Sequence, residues 1–147
     1  MFSYKYPHPA VTADCVLFCR NEGRLKVLLV ERGNDPYKGC WAFPGGFMNI
    51  DETTEQCALR ELQEETGLVV REVRQLGAYS AVDRDPRERV ITVAYYAVVP
   101  YASVQGSDDA AKAQWWPVDA VPPLAFDHEE MLHDSLERIE QEHFLHP

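Results

Sequence analysis

No stretch of this chain approaches the roughly 18 uninterrupted apolar residues that a membrane-crossing helix needs. The opening residues, Met1 to Pro7, also lack the apolar core of a signal peptide. These absences exclude a spanning helix and lead us to expect a cytoplasmic protein with no membrane partner. Internal repeats and low-complexity tracts are missing too, which sets solenoids aside. The four cysteines, Cys15, Cys19, Cys40 and Cys57, form no C-x-x-C pair and lie in or beside apolar runs. We read them as reduced, mostly buried residues rather than zinc ligands or a disulfide framework. Basic residues are short, with 14 Lys and Arg against 24 Asp and Glu and a formal net charge of −10. The deficit is concentrated in residues 105–147, where ten acids face only Lys112 and Arg138. Such a surface argues against a nucleic-acid polymer as the main partner. A small phosphate ligand is not excluded, because local arginines and metal set the field inside a cleft. What is present, 147 residues with 46% apolar content, suits one domain over 1–147 with a sizeable core.

In chain order, Val11 to Cys19 reads as a strand, Asn21-Glu22-Gly23 as a tight turn, and Leu25 to Glu31 as a second strand. The run Val27-Leu28-Leu29-Val30 implies burial on both faces. Arg32 to Gly39 is a polar loop, after which Trp41 to Gly46 leads into the most informative stretch. There, Thr53 and Gln56 have the spacing of a capping box, Asp51 and Glu52 suit a helix N-terminus, and Gly67 is a natural C-cap. The spacing predicts a helix between them. At about 100° per residue, Glu61, Glu64 and Glu65 share one face, while Leu59, Leu62 and Thr66 lie on an adjacent, buriable face. Three converging carboxylates raise one another's pKa unless a cation sits among them, and oxygen-only ligands suit a hard one, Mg²⁺ or Mn²⁺. Arg60, four residues before Glu64, can pair with it. Pro44-Gly45-Gly46 supplies backbone able to approach a ligand closely.

Gly46, five residues, Glu52, seven residues, Arg60-Glu61-Leu62, one residue, Glu64-Glu65, one residue, Gly67-Leu68: this pattern resembles the Nudix box at every specified position. The resemblance implies an α/β chain, an α/β/α sandwich with a mixed central sheet between helices. It also implies hydrolysis of a nucleoside diphosphate linked to another moiety, with water and two or more divalent ions. Carried over position by position, it makes Glu61 and Glu65 the principal metal ligands and Glu64 a further ligand or the base. Gly45 becomes a carbonyl ligand, and Glu52 and Arg60 become orienting partners. Family members often form homodimers, although no stretch here specifies an interface.

Beyond the box, Leu68 to Ser80 reads as a strand with a polar interruption at Arg71 to Gln75, and Arg89 to Val99 as the strongest strand in the chain. Between them, Asp83 to Arg89 packs three arginines and three acids into a turn. Arg84 and Arg87 are candidates to bind a diphosphate, since a guanidinium fork matches phosphate oxygens, and the resemblance implies that a substrate phosphate or base is met at Arg32 and the residues after it. The Arg84-Asp85-Pro86-Arg87 turn and Phe126-Asp127-His128 resemble the ADP-ribose pyrophosphatase branch. The substrate implied is therefore ADP-ribose or a related nucleoside diphosphate sugar, with Phe43, Tyr79 and Tyr95 nominated to stack on adenine. The family often takes a late acid as base, which nominates Asp108 or Asp109; the glutamate that such members carry just before the following tryptophan is replaced here by Lys112, Ala113 and Gln114. Gln114 to Trp116 reads as a short strand. Asp127 is expected to cap a last helix carrying Met131, Leu132, Leu136 and Ile139, while His128, His133, His143 and His146 are read as solvated, His128 being the one with an alternative place beside the site. Two other readings remain open: a house-cleaning nucleoside triphosphate pyrophosphatase, and a non-catalytic domain that senses an ADP-ribose-type ligand, as in nicotinamide-metabolism regulators.

Overall fold

Four consecutive apolar residues can all be buried only if the strand carrying them is covered on both faces. The computed structural model describes residues 1–104 and 112–145. In it Val27, Leu28, Leu29 and Val30 are all buried, with successive side chains entering two different cores. The elements run β1 (Ala10–Asn21), β2 (Arg24–Glu31), β3 (Trp41–Ala42), β4 (Gly45–Phe47), α1 (Thr54–Thr66), β5 (Arg74–Tyr79), β6 (Val90–Val98), β7 (Ala113–Pro117) and α2 (His128–Leu145). One sheet holds all seven of these strands. It is mixed: β1 runs parallel to β6 and antiparallel to β2 and β4, and β5 closes the far side against β6.

The two cores lie on opposite faces of this sheet, each under one helix, which is the α/β/α sandwich that the box implies. Ala13, Cys15, Leu17 and Leu28 meet Cys57, Ala58 and Leu62 of α1. Val16, Phe18, Val27 and Leu29 meet Met131 and Leu132 of α2. Burying a side chain such as Leu62 contributes about 2 kcal/mol, so these few helix residues fix how each helix is rotated on the sheet. Three cysteines are buried and all four are free thiols, as their apolar settings suggest.

Two local expectations are corrected. The strand expected over Leu68 to Ser80 begins only at Arg74, inside the stretch read as an interruption. Leu68 and Val70 spend their apolar surface on the α1 core without pairing, so their hydrophobicity reports packing rather than a ladder. Asp127 sits just before α2, but its carboxylate is taken by Arg84, which donates from Nε (2.9 Å) and Nη2 (2.7 Å). Its backbone carbonyl, rather than its side chain, accepts from Met131 N–H.

A parting within the sheet positions the site. β1 and β2 pair only from Phe18 and Val27 back to their hairpin turn. Beyond that point β1 takes β4 as its partner at Thr12 to Asp14, while β2 pairs with β3 and with β7. Phe43 and Pro44 cross the gap, and Cys15 N–H donates to the Pro44 carbonyl at 2.8 Å. A cleft of about 530 Å³ opens there.

Candidate active site

Helix α1 forms one wall. Its capping box is complete: Gln56 N–H donates to Thr53 Oγ1 (3.1 Å), and Thr53 N–H donates to Gln56 Oε1 (2.8 Å). Gly67 closes the other end at φ 80°, donating to the Gln63 carbonyl. With both ends fixed and Leu62 buried, Glu61, Glu64 and Glu65 fall on the cleft side. Glu65 is the most enclosed, and burial pushes its carboxyl up to about 8, against the opposing effect of the Gly45 N–H that it accepts at 2.9 Å. Glu61 is also raised by burial, partly offset by Arg60.

Arg60 ties this wall together. Its Nη1 donates to Glu61 (2.8 Å) and Glu64 (3.2 Å), and its Nε and Nη2 fork onto Glu52. The guanidinium and the Asn49 N–H pull Glu52 down to about 2, so it is a fixed anion that orients the arginine. The Gly45-Gly46 backbone presses against these acids: a Cβ on Gly46 would lie 2.6 Å from the Glu61 carboxyl carbon. The three cleft glutamates share one wall without drawing to within 4.8 Å of a common partner set. Among the described residues that closeness occurs at His133, Asp134 and Glu137, helical neighbours on the outer face of α2.

The floor is Asp14, His128 and Phe43. Asp14 is buried in β1 and accepts from Thr92 Oγ1 at 2.6 Å. His128 Nδ1 accepts the Phe43 N–H (3.1 Å), its ring stacks on Phe43 at 4.9 Å, and its Nε2 lies 3.8 Å from Asp14 Oδ2. Burial lowers the His128 pKa, so the ring is neutral and carries its proton on Nε2. Arg32, Arg84, Arg87 and Phe126 also line the cleft. These arginines differ in what they already hold. Arg84 is buried and forked onto Asp127, while Arg87 is forked onto Asp85. Arg32 donates from Nε to the Pro36 carbonyl at 2.7 Å and has no carboxylate partner among the described residues.

The cleft therefore gathers Arg32, Phe43, Gly45, Glu61, Glu64, Glu65, Arg84 and Arg87 from the residues that the sequence nominates. Glu52 and Arg60 stand immediately behind it. Tyr79 and Tyr95 lie elsewhere, bonded to Asp134 and Thr54 respectively. Asp108 and Asp109 fall outside the described residues. Sequence reasoning missed Asp14, although a lone aspartate inside an apolar strand is a legible signal; it missed Phe126, whose place depends on long-range pairing; and it read His128 as solvated, whereas its ring is buried in the cleft against Phe43. The carboxylates suit hard cations and the arginines suit phosphate, and both line one opening.

Comparison with known proteins agrees with this geometry. A family model described as NUDIX domain matches residues 8–135. The chain is 43% identical over 131 residues to an ADP-ribose pyrophosphatase of Methanocaldococcus jannaschii, spanning 89% of this chain and 75% of that protein. It is 33% identical over 139 residues to the ADPR responsive transcriptional repressor NtrR of Acinetobacter baylyi, spanning 91% of this chain but only 56% of the repressor. The NUDIX domain of Shewanella oneidensis NrtR, solved in complex with ADP ribose, matches with a TM-score of 0.86 at 38% identity, over 91% of this chain and 90% of that one.

Proposed function

Since the chain belongs to the Nudix family, we propose that it is a hydrolase cleaving a nucleoside diphosphate linked to another moiety, with ADP-ribose first among candidates. The products are a nucleoside monophosphate and a sugar phosphate. The observation that carries this reading is that Glu61, Glu64 and Glu65 line one cleft together with Arg32, Arg84 and Arg87.

The residues fit a divalent metal. Glu65 is a buried carboxyl beside Glu61 and Asp14, raised by burial and by their charge, and a cation discharges that repulsion. Glu61 and Glu65 would hold Mg²⁺ or Mn²⁺, two or more ions in all, with Glu64 and the Gly45 carbonyl as further ligands. When bound, such ions neutralise the diphosphate and lower the pKa of a ligated water. In the hydrolysis itself, the water oxygen forms a bond to phosphorus, the anhydride P–O bond breaks, and the leaving phosphate carries away the electron pair. A carboxylate takes the water's proton. Its 58% exposed side chain and its pairing with Arg60 support Glu64 as this base, with Asp108 and Asp109 as the other candidates. Arg32, which has no carboxylate partner among the described residues, offers its terminal donors to the phosphates, while Arg60 and Glu52 keep the acid wall in register.

The test is a chromatographic assay of a nucleotide panel with Mg²⁺ and Mn²⁺, run on the native protein and on Glu64→Gln and Glu65→Gln. Turnover of ADP-ribose to AMP and ribose phosphate, falling at least roughly a hundredfold in both variants, is expected. Unchanged turnover in both rules the site out. Preferred cleavage of nucleoside triphosphates selects the house-cleaning reading instead. The likeness to the ADP-ribose-bound NrtR domain favours one further alternative, ligand sensing without catalysis. Tight ADP-ribose binding without products would select it.

A further inference from the structure

Two bulky residues with left-handed backbone, Tyr37 (φ 63°) and Phe126 (φ 53°), come from distant loops and meet at one point. Tyr37 packs edge-on to Phe126, with ring centroids 4.8 Å apart. Large side chains at positive φ cost free energy and persist only where their surroundings over-determine them, which makes such a meeting a place to look for a role. The surroundings are cationic. Arg32, Arg87 and Arg84 place their guanidinium carbons 5.0, 5.8 and 5.9 Å from the Phe126 centroid. Two of these cations are already occupied, Arg84 by Asp127 and Arg87 by Asp85. Arg32 lies nearest the ring and lacks a carboxylate partner among the described residues, and its Nε is committed to the Pro36 carbonyl. The connector bearing Phe126 is pinned just upstream, where Ala125 N–H donates to the Trp41 carbonyl and Trp41 N–H to the Pro123 carbonyl.

Building on the diphosphate reading of the cleft, we propose that Phe126 is a positioning residue. Its ring, braced by Tyr37, holds the Arg32 guanidinium so that the terminal N–H donors are left for the diphosphate. An aromatic face is suited to this task because it orients a cation without consuming its hydrogen-bond donors, whereas a carboxylate would take them. The strained backbone at both aromatics is the cost of bringing the Tyr37 ring against the Phe126 ring that Arg32 stands over.

The test is equilibrium binding of ADP-ribose and of inorganic pyrophosphate to the full chain in EDTA, where metal-dependent turnover cannot interfere. Phe126→Leu is expected to weaken both ligands roughly tenfold, and Phe126→Tyr to stay within about twofold of the native protein. Tyr37→Ala, at a 40% exposed position, leaves the core untouched and is expected to weaken binding about threefold. In an Arg32→Ala background, adding either Phe126→Leu or Tyr37→Ala is expected to change affinity by less than about twofold, because both act through that arginine. Effects that simply multiply with Arg32→Ala overturn the proposal, as does unchanged affinity in Tyr37→Ala and Phe126→Leu. Native protein that binds neither ligand, both in EDTA and with Ca²⁺ in place of Mg²⁺, overturns it together with the diphosphate reading. Native protein that binds both, responds as expected, and yields no products with Mg²⁺ overturns the hydrolase reading alone.

Discussion

His128 shows how a side chain that ordinarily titrates near neutrality becomes part of a floor. Its environment, with Asp14, Asp127, Arg84 and Arg32 around it, leaves desolvation as the leading influence, so its folded pKa lies below 6.5. Below pH 6.5 the unfolded chain therefore takes up a proton that the folded chain refuses, and stability drops as pH falls towards the lowered value. Glu65 gives the opposite slope, since its raised pKa makes the folded form hold a proton up to about 8. Urea midpoints measured from pH 8 to 5 should accordingly show a flatter acid limb in His128→Gln than in the native protein. A second prediction concerns Asp127. Removing its carboxylate strands Arg84, whose side chain is 4% exposed, so Asp127→Ala should cost about 3 kcal/mol by urea unfolding. The arginines were legible as a set but not individually: Arg84-Asp85-Pro86-Arg87 announces charge, whereas which cation is spent on which acid depends on Asp127, which arrives from another element.

Helix α1 was readable end to end because every signal that defines it is local: a box at Thr53, a glycine at Gly67 and a buried stripe at helical spacing. Thr53→Ala should cost about 1 kcal/mol in thermal or chemical melts. Strands β3 and β4 were not readable, since two- and three-residue strands carry no periodicity and exist only because β1 and β2 part. The two glycines of β4 are predicted to behave differently. On Gly45 a Cβ would meet Asp14 Oδ1 at 2.1 Å and the Ala13 carbonyl oxygen at 2.5 Å, so Gly45→Ala should lose about 3 kcal/mol of stability. On Gly46 it would meet the movable end of Glu61. Gly46→Ala should therefore melt within a few degrees of the native protein while hydrolysis falls at least roughly tenfold, as expected when a metal-site side chain is displaced.

For the molecule as a whole, stability and activity pull against each other at the acid wall. Glu65 must take up a proton when the metal-free chain folds, whereas Gln is neutral in both states, so metal-free Glu65→Gln should melt at or above the native temperature at neutral pH. Saturating Mg²⁺ should stabilise the native protein, by about 2.7 kcal/mol at a hundred times the dissociation constant, and leave the variant almost unmoved. Differential scanning calorimetry with and without chelator reads both. The layered architecture was visible in Val27 to Val30, whose unbroken hydrophobicity demands two covers. The position of Tyr95 and Tyr79 was not, because a sheet buried on both sides gives alternating aromatics no polar face by which to tell one side from the other.

The opening between β1 and β2 is a fork in a single hydrogen-bonded fabric rather than a seam between lobes. Each tine is stitched to its own short strand, β4 on one side and β3 on the other. Widening it from the fork would mean unpicking main-chain ladder bonds, which sets a cost on admitting bulkier guests. Selectivity among them is then a matter of which side chains furnish the room.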